Sequence, residues 1–140
     1  MSGKIVVDSA VKPAPMGVWS HGVIVPSGAR LLFPGGFTSR DREGNVVAPN
    51  DMAGQTRTIL ENMKAYCAEQ GATLDDVVKL TVYVTDLTDW HAHHAVRREY
   101  FPVDPPASCL VQVVRLVEQR HVVEIDPVIM LPADAEPDRG

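Results

Sequence analysis

The sequence feature that most constrains the fold is a β-branched run, VVKLTVYVT at residues 77–85, with a helical pattern on either side of it. One amphipathic pattern precedes the run between Asn50 and Gly71, and a second follows it at residues 89–101. A run of this kind predicts a well-buried strand. Because strand, helix and parallel strand alternate here, the sequence predicts helices stacked on a sheet.

Residues at the ends of both patterns are typical helix boundaries. Asn50 or Asp51 can cap the first helix, and Gly71 can end it in a left-handed conformation. Thr88 can cap the second helix, and Pro102 stops it. Both helices are therefore expected to be well delimited.

Five further strands complete an order of three strands, helix, strand, helix and two strands. The last two are expected to pair as a hairpin through VEQR. The predicted class is α/β (α+β): a single domain with a six-stranded mixed sheet and two helices on one face. The other face is rich in Val, Leu and Ile, and we expect it to pack against another subunit. These strands fall at residues 4–7, at two segments of 19–38 around a turn at 26–28, at 108–116 and at 121–131.

Composition sets further limits on the kind of protein. The chain has 140 residues and a mass of 15.3 kDa, which suits one domain, predicted at 1–132 with a polar tail at 133–140. A net charge of −5 argues against a nucleic-acid partner. Cys67 and Cys109 form no disulfide framework, and no apolar window suits a signal peptide or a membrane span. The expected location is the cytoplasm.

The HAHH segment is the obvious metal candidate, but its spacing does not favour a metal. His91 and His94 share a helix face, His93 points away, and no Cys or carboxylate stands at ligand spacing. His91 and His93 are expected to be partly solvated. His94 lies on the apolar stripe with Trp90 and Phe101, so it is a part-buried polar group that either serves the structure or lines a cleft.

Two other side chains could carry chemistry. Cys109 lies in a strand between Ser108 and Leu110, where a small buried hydrophobic role is favoured over a nucleophile. Glu124 interrupts the apolar HVVEIDPV strand. It is either a cleft carboxylate with a raised pKa, suited to proton transfer, or a solvated residue of an edge strand.

Together these segments resemble the Rid (reactive intermediate deaminase, or YjgF) family, formerly labelled endoribonuclease L-PSP. The resemblance runs from about residue 17 to 131 and is carried by GVWSHGV, LLFPGGFT, PPASCLVQVVRL, VVEIDPVIM and the long central piece QTRTILENMKAYCAEQGATLDDVVKLTVYVTDLTDW. It implies a chorismate-mutase-like fold, a homotrimer with a central β-barrel, and small-molecule clefts between subunits. It also implies hydrolysis of enamines and imines without a cofactor.

Several positions match the family's cleft. Glu124 matches the glutamate thought to position the attacking water, and Gly35 matches the strand glycine whose backbone faces the ligand. Trp19 stands in place of the usual tyrosine, and His94 in place of an asparagine. The resemblance thus implies ligand contacts at these four positions.

One position departs from the family's P-A-R-S motif, whose Arg grips the substrate carboxylate. This chain reads PASC, so Ser108 stands where the Arg belongs, Cys109 follows, and Leu110 comes next. A hydroxyl cannot replace a bidentate guanidinium. Either another cation reaches the cleft, or the ligand differs; the candidate cations are Arg30, Arg40, Arg115 and His94.

These observations predict a Rid-type hydrolase of an enamine, imine or related C–N compound, with Glu124, Ser108 and Cys109 at the reaction centre. Trp19, Gly35, His94 and Leu110 would contact the ligand. A non-catalytic binding or regulatory trimer with the same clefts is the alternative. An endoribonuclease is least favoured, because the chain is acidic and has no basic–aromatic strip.

Overall fold

The computed structural model describes residues 3–133, so the predicted tail lies outside the described residues from position 134 onward. These residues form two α-helices and six strands in the predicted order. No helix in the described range is both long and apolar enough to cross a membrane. The elements are β1 (Ile5–Val7), β2 (Gly22–Ile24), β3 (Arg30–Leu32), α1 (Met52–Glu69), β4 (Val77–Val84), α2 (Trp90–Tyr100), β5 (Ala107–Gln112) and β6 (Val123–Leu131).

The six strands form two sheets rather than the single sheet that was predicted. Strands β3, β6, β4 and β5 make a four-stranded mixed sheet in that spatial order, while β1 and β2 form a separate antiparallel pair. The turn after β2 contains Gly28 with a φ of 86°, and it sends the chain away to pair β3 with β6. The mixed α+β class is confirmed, and its sheet is smaller than predicted.

Pairing around β4 confirms one prediction and corrects another. β4 and β5 pair in parallel across the α2 connection, as the alternation of elements indicated. β6 pairs antiparallel with the opposite edge of β4, so the predicted hairpin between the last two strands is wrong. Because the α2 crossover places β5 on one edge of β4, the remaining edge is open to β6, which becomes a central strand.

The helix boundaries show which capping residues act. The side chain of Asp51 accepts a hydrogen bond from the Gly54 amide at 3.1 Å, and Gly71 follows α1 with a φ of 75°. Both predictions for α1 are confirmed. A short 3-10 turn leads into α2. Asp86 caps this turn, and its side chain accepts a hydrogen bond from the Thr88 amide at 2.9 Å. Thr88 is therefore not the capping residue.

Both helices pack on one face of the four-stranded sheet. Leu80, Val82 and Val84 of β4 are fully buried there, together with α1 side chains such as Ile59 and Leu60. Since side chains alternate along a strand, the β4 residues between them point to the opposite face. That face has no helix over it among residues 3–133.

We call this second face the open face. It is more polar than the sequence suggested, because the Val and Ile side chains of β4 and β6 point mostly toward the helices. Large apolar side chains are nevertheless exposed on β5 and beside the sheet, including Val111 at 45% and Phe33 at 69%. From the strand registers, its residues include Lys79, Thr81, Tyr83, Cys109, Val111, Glu124 and Asp126.

His93 joins the two helices from inside the core. Its side chain is fully buried, and Nδ1 lies 2.8 Å from the Thr56 hydroxyl of α1. The expectation that His93 is partly solvated is wrong, because α1 covers the side of α2 that lies away from the Trp90 stripe. Burial lowers the pKa of His93 well below 6.5, and the nearby Arg97 lowers it further.

We expect the chain to assemble through the open face as a trimer, with a mass of roughly three times the 15.3 kDa of one chain. The variant Val111→Asp places a charge at this face and should shift the population toward smaller species. Light scattering across a concentration series measures both. The matched control is Val11→Asp, since Val11 is 93% exposed in the loop between β1 and β2. A wild-type monomer at micromolar concentration would contradict the expectation.

Stability is expected to fall as the pH drops below about 6.5, because three buried histidines bind protons less readily in the folded chain than in the unfolded one. Burial holds the pKa of His93 well below 6.5, lowers that of His94 to about 4 and also lowers that of His121. The unfolded chain takes up protons that the folded chain does not, so each histidine lowers the free energy of unfolding by up to about 1.4 kcal/mol per pH unit. Urea unfolding at several pH values between 6.5 and about 5 measures this slope.

The variant His93→Gln should reduce the slope by about a third to a half, because one of the three buried imidazoles is removed. His91→Gln serves as the control, since His91 is exposed on the same helix. Stability that stays constant across this pH range would contradict the lowered pKa values of these buried histidines.

Candidate active site

A cavity of about 590 Å³ opens between α2, β5 and the loop that joins β1 to β2. We call it the helix-side cavity. Four of the predicted site residues lie around it, namely Trp19, His94, Ser108 and Leu110. Its wall is mainly apolar, and the remaining lining residues are Met16, Leu87, Thr88 and Trp90.

The position of Trp19 depends on the residue before it. The Val18 amide donates to Nδ1 of His94 at 3.1 Å, and the Val18 carbonyl accepts from Nη2 of Arg97 at 2.6 Å. His94 and Arg97 are three residues apart, so they lie on the same side of α2. Ser20 adds a backbone bond to the Pro106 carbonyl at 3.1 Å. The loop is thereby tied to both α2 and the start of β5.

His94 lies between two indole rings. Its ring centroid is 5.5 Å from that of Trp19 and 5.2 Å from that of Trp90, both in edge-on arrangements. Burial, followed by the charge of Arg97, lowers the pKa of His94 to about 4, so the ring is neutral at pH 7. Because Nδ1 accepts from Val18, the proton of the neutral ring is on Nε2, which is a hydrogen-bond donor.

Ser108 is in contact with a buried cation. In the parallel register Ser108 lies beside Leu80, so its side chain is on the helix side of the sheet. Nη1 of Arg97 donates to the Ser108 hydroxyl at 3.2 Å. The Arg97 side chain is fully buried, and burial lowers its pKa to about 10, which leaves it charged at neutral pH.

Glu124 lies on the opposite side of the sheet. It pairs with Tyr83 on the open face, where both line a smaller cavity of about 310 Å³ together with Asp126 and Arg115. Burial raises the pKa of Glu124, and the charge of Asp126 raises it further. A carboxylate of increased basicity in a cavity fits the cleft reading of Glu124 better than the solvated one.

The two glycines before Phe37 are in different surroundings. A Cβ added at Gly36 would lie 2.5 Å from Oε2 of Glu124, whereas one added at Gly35 would have no atom within 4 Å. Phe37 pairs with Ile125 through backbone hydrogen bonds of 2.8 and 3.0 Å, which brings this segment against β6. Gly36 therefore packs against the carboxylate, and Gly35 borders open space. A role for Gly35 in ligand contact stays a prediction.

Cys109 is exposed on the open face, so the expectation of a small buried hydrophobe is wrong. Because no helix of the described chain lies over the open face, this side chain is accessible to solvent. The Nζ of Lys79 lies 3.7 Å from the Cys109 sulfur. Cys109 thus shares a face with Glu124 and is separated from Ser108 by the sheet, while Cys67 is buried as predicted.

Among the residues of this region that sequence reasoning missed are Arg97, Trp90 and Gly36, and the first two had signals. Arg97 lies seven residues after Trp90 and three after His94, on the same apolar stripe of α2, where an Arg is unexpected. Trp90 belongs to that stripe as well. Gly36 gave no signal that distinguishes it from Gly35. Of the predicted cations, Arg115 lines the cavity beside Glu124, whereas His94 lines the helix-side cavity as a neutral ring and is not a cation at pH 7. No three His, Cys, Asp or Glu residues within 3–133 group as metal ligands.

Comparison with known proteins agrees with these features. A family model described as endoribonuclease L-PSP matches residues 9–130. A RutC family protein of Pyrococcus abyssi is 37% identical over 113 residues, which cover 81% of this chain and 87% of the relative. A RutC family protein of Pyrococcus horikoshii is 33% identical over 89% of this chain and 96% of its own length.

Solved structures give the same result. YyfB of Yersinia pestis, described as a conserved Rid family protein, is 29% identical with a TM-score of 0.84 over 94% of this chain and 100% of that one. RidA of a Psychrobacter species is 31% identical with a TM-score of 0.68 over 85% and 93%. The residue pattern, the fold and both sets of matches agree, and the chain belongs to the Rid/YjgF family.

Proposed function

We propose that this protein is a Rid-type hydrolase that converts an enamine or imine into a carbonyl compound and ammonia in clefts between subunits. The observation that carries the proposal is the separation of two groups of side chains. Trp19, His94 and Ser108 lie on the helix side of the sheet, and Glu124 lies on the open face.

The separation points to a shared cleft. A water held by Glu124 cannot reach a ligand in the helix-side cavity of the same chain, because the sheet lies between them. β5 is the edge strand of the sheet, so a neighbouring copy can approach Ser108 and Leu110 from that edge. The carboxylate of one subunit would then face the cavity of the next, which agrees with the expected trimer.

The reaction needs one base and no redox step. The Glu124 carboxylate takes a proton from water while the oxygen attacks the imine carbon, and it returns that proton to the nitrogen. In the resulting aminoalcohol the carboxylate takes the hydroxyl proton and passes it to the amino group, so the C–N bond breaks, ammonia leaves and the C=O bond forms. The atoms balance as imine plus water giving carbonyl plus ammonia. A carboxylate whose pKa is raised by burial accepts and returns a proton near neutral pH more readily than an ordinary Glu.

The helix-side cavity would hold the rest of the substrate. Its walls of Trp19, Trp90 and Leu110 favour an apolar or aromatic body, since burying such a group stabilises binding by about 1.5–3 kcal/mol. The hydroxyl of Ser108 and the Nε2–H of His94 would hold polar atoms of the ligand. Gly35 would supply backbone contacts from the side of Glu124. Cys109 takes no part in the proposed reaction.

An endoribonuclease activity finds no support in the geometry. The open-face cavity contains two carboxylates, Glu124 and Asp126, beside one cation, Arg115, so its side chains do not form a basic groove for a phosphate backbone. The helix-side cavity is mainly apolar. A stacking surface for RNA would need exposed cations along it.

The variant Glu124→Gln should abolish hydrolysis and leave the assembly intact, because an amide cannot take a proton from water. The measurement is ammonia release from freshly generated imino acids, with light scattering on the same samples. The control is Glu69→Gln, at an exposed glutamate at the end of α1. Full activity of Glu124→Gln would contradict the proposed role of this carboxylate.

Mixed trimers test the shared cleft directly. Glu124→Gln and Ser108→Val should each be poorly active alone, whereas co-expression in equal amounts should restore about a quarter of the wild-type rate by random assortment of subunits. No recovery in mixed trimers would mean that both side chains act within one chain.

Among imino acids, we expect 2-imino-3-phenylpropionate to be hydrolysed with a kcat/KM at least about tenfold higher than that of 2-iminopropionate. The larger compound fills the apolar cavity, and the smaller one has no guanidinium in the usual position to hold it. Both can be produced in the assay by an amino-acid oxidase from the parent amino acids. Faster turnover of 2-iminopropionate would contradict the assignment of the cavity, and turnover of neither compound would favour the non-catalytic alternative.

A further inference from the structure

The charge of Arg97 has no counter-ion in the structure. Its side chain is 0% exposed, and none of the ion pairs recorded among residues 3–133 includes it. Its hydrogen bonds go to two neutral oxygens, and its Nε–H has no partner. A buried charge without a counter-ion is costly, and a site that keeps one usually has a use for it.

The contact with Ser108 fixes which way that hydroxyl acts. A guanidinium has no acceptor, so Arg97 donates and the Ser108 oxygen accepts. The hydroxyl proton then remains free to donate, and Ser108 lines the helix-side cavity. A hydroxyl that accepts from a cation becomes a stronger donor, because hydrogen bonds in a chain polarise one another.

A second donor lies on the same cavity wall. The neutral His94 ring has its Nδ1 occupied by the Val18 amide, which leaves Nε2–H to donate. Thus two of the three polar side chains that line this cavity, Ser108 and His94, present donors, and a full positive charge lies directly behind Ser108. A ligand atom placed there must be an acceptor, and a negatively charged oxygen matches it best.

We propose that Arg97 is the cation that replaces the missing strand Arg, and that it holds the carboxylate of an aromatic or large apolar acid through the hydroxyl of Ser108. The inference rests on the proposed site and names its ligand class. A carboxylate fits better than a phosphate group, because one hydroxyl and one imidazole N–H match two oxygens. Arg97 is therefore a positioning residue, and the ligand contact is made by Ser108.

The helix-side cavity provides its own optical signal. The chain has two tryptophans, Trp19 and Trp90, and both line this cavity. Binding of a ligand can therefore be followed by intrinsic fluorescence without any turnover. Two probes of nearly equal shape, 3-phenylpropionate and 3-phenylpropionamide, differ in charge at one end.

The wild-type protein should bind the carboxylate at least about tenfold more tightly than the amide. Arg97→Met should bind both probes with similar affinity, and Arg97→Lys should keep part of the preference. Ser108→Val, which keeps Arg97 but removes the hydroxyl, should lose the preference as well and serves as the test if Arg97→Met fails to fold. The matched control is Arg98→Met, since Arg98 is exposed on the same helix and should leave the ratio unchanged.

Three results would overturn the inference. The wild type could show no preference for the carboxylate or bind neither probe at millimolar concentration. The preference could survive in Arg97→Met and Ser108→Val. It could instead disappear in Arg115→Met, which would assign the anion to the cation beside Glu124. Because binding is measured without turnover, these results are independent of whether Glu124 supports hydrolysis.

Discussion

The contact of α2 with a single loop residue, Val18, holds the helix-side cavity together. His94 accepts from its amide and Arg97 donates to its carbonyl, so two polar side chains that the core would otherwise exclude find partners in one backbone segment. This contact lies next to Trp19, whose ring packs edge-on against His94, so the hydrogen bonds of Val18 and the ring contact hold the loop against α2 together. The same contact orients the His94 ring and brings the Arg97 guanidinium to Ser108. The orientation of the polar groups in the cavity thus depends on the hydrogen bonds between α2 and this loop.

The sheet divides the candidate site into two parts, and this division is the reason for proposing that the site is completed by assembly. Ser108 and Glu124 are on strands that both flank β4, yet their side chains point to opposite faces. Alternation along a strand makes this separation unavoidable, because a shift of one residue in register would expose the core of β6. In the proposed assembly, a second copy would supply the missing half of the site.

Local signals in the sequence were sufficient for the elements but not for all of their partners. Asp51, Gly71 and the β-branched run of β4 act within a few residues of chain, so α1, β4 and their boundaries could be predicted. The hairpin between β5 and β6 was wrong because strand pairing depends on which edge of β4 remains open after the α2 crossover. The burial of His93 could not be predicted, because it depends on packing against α1, where Thr56 lies 37 residues earlier in the sequence.

The candidate site was predicted in part. The resemblance pointed to Trp19, His94, Ser108 and Leu110, and these residues lie around one cavity. Arg97 was missed because a long charged side chain on a helix is normally expected to reach solvent.

Because Gly36 packs against the Glu124 side chain, adding one methyl group at position 36 would move the carboxylate and leave the backbone in place. A methyl group at position 36 would meet the far end of a flexible side chain, 2.5 Å from Oε2, and no backbone atom is among its close neighbours. The φ angle of Gly36 is not positive, so an L-residue is sterically allowed there. The fold could therefore accept alanine by letting the carboxylate swing aside. During divergence, a relative could lose the position of its base while keeping its stability, so such an inactive descendant would remain a well-folded member of the family.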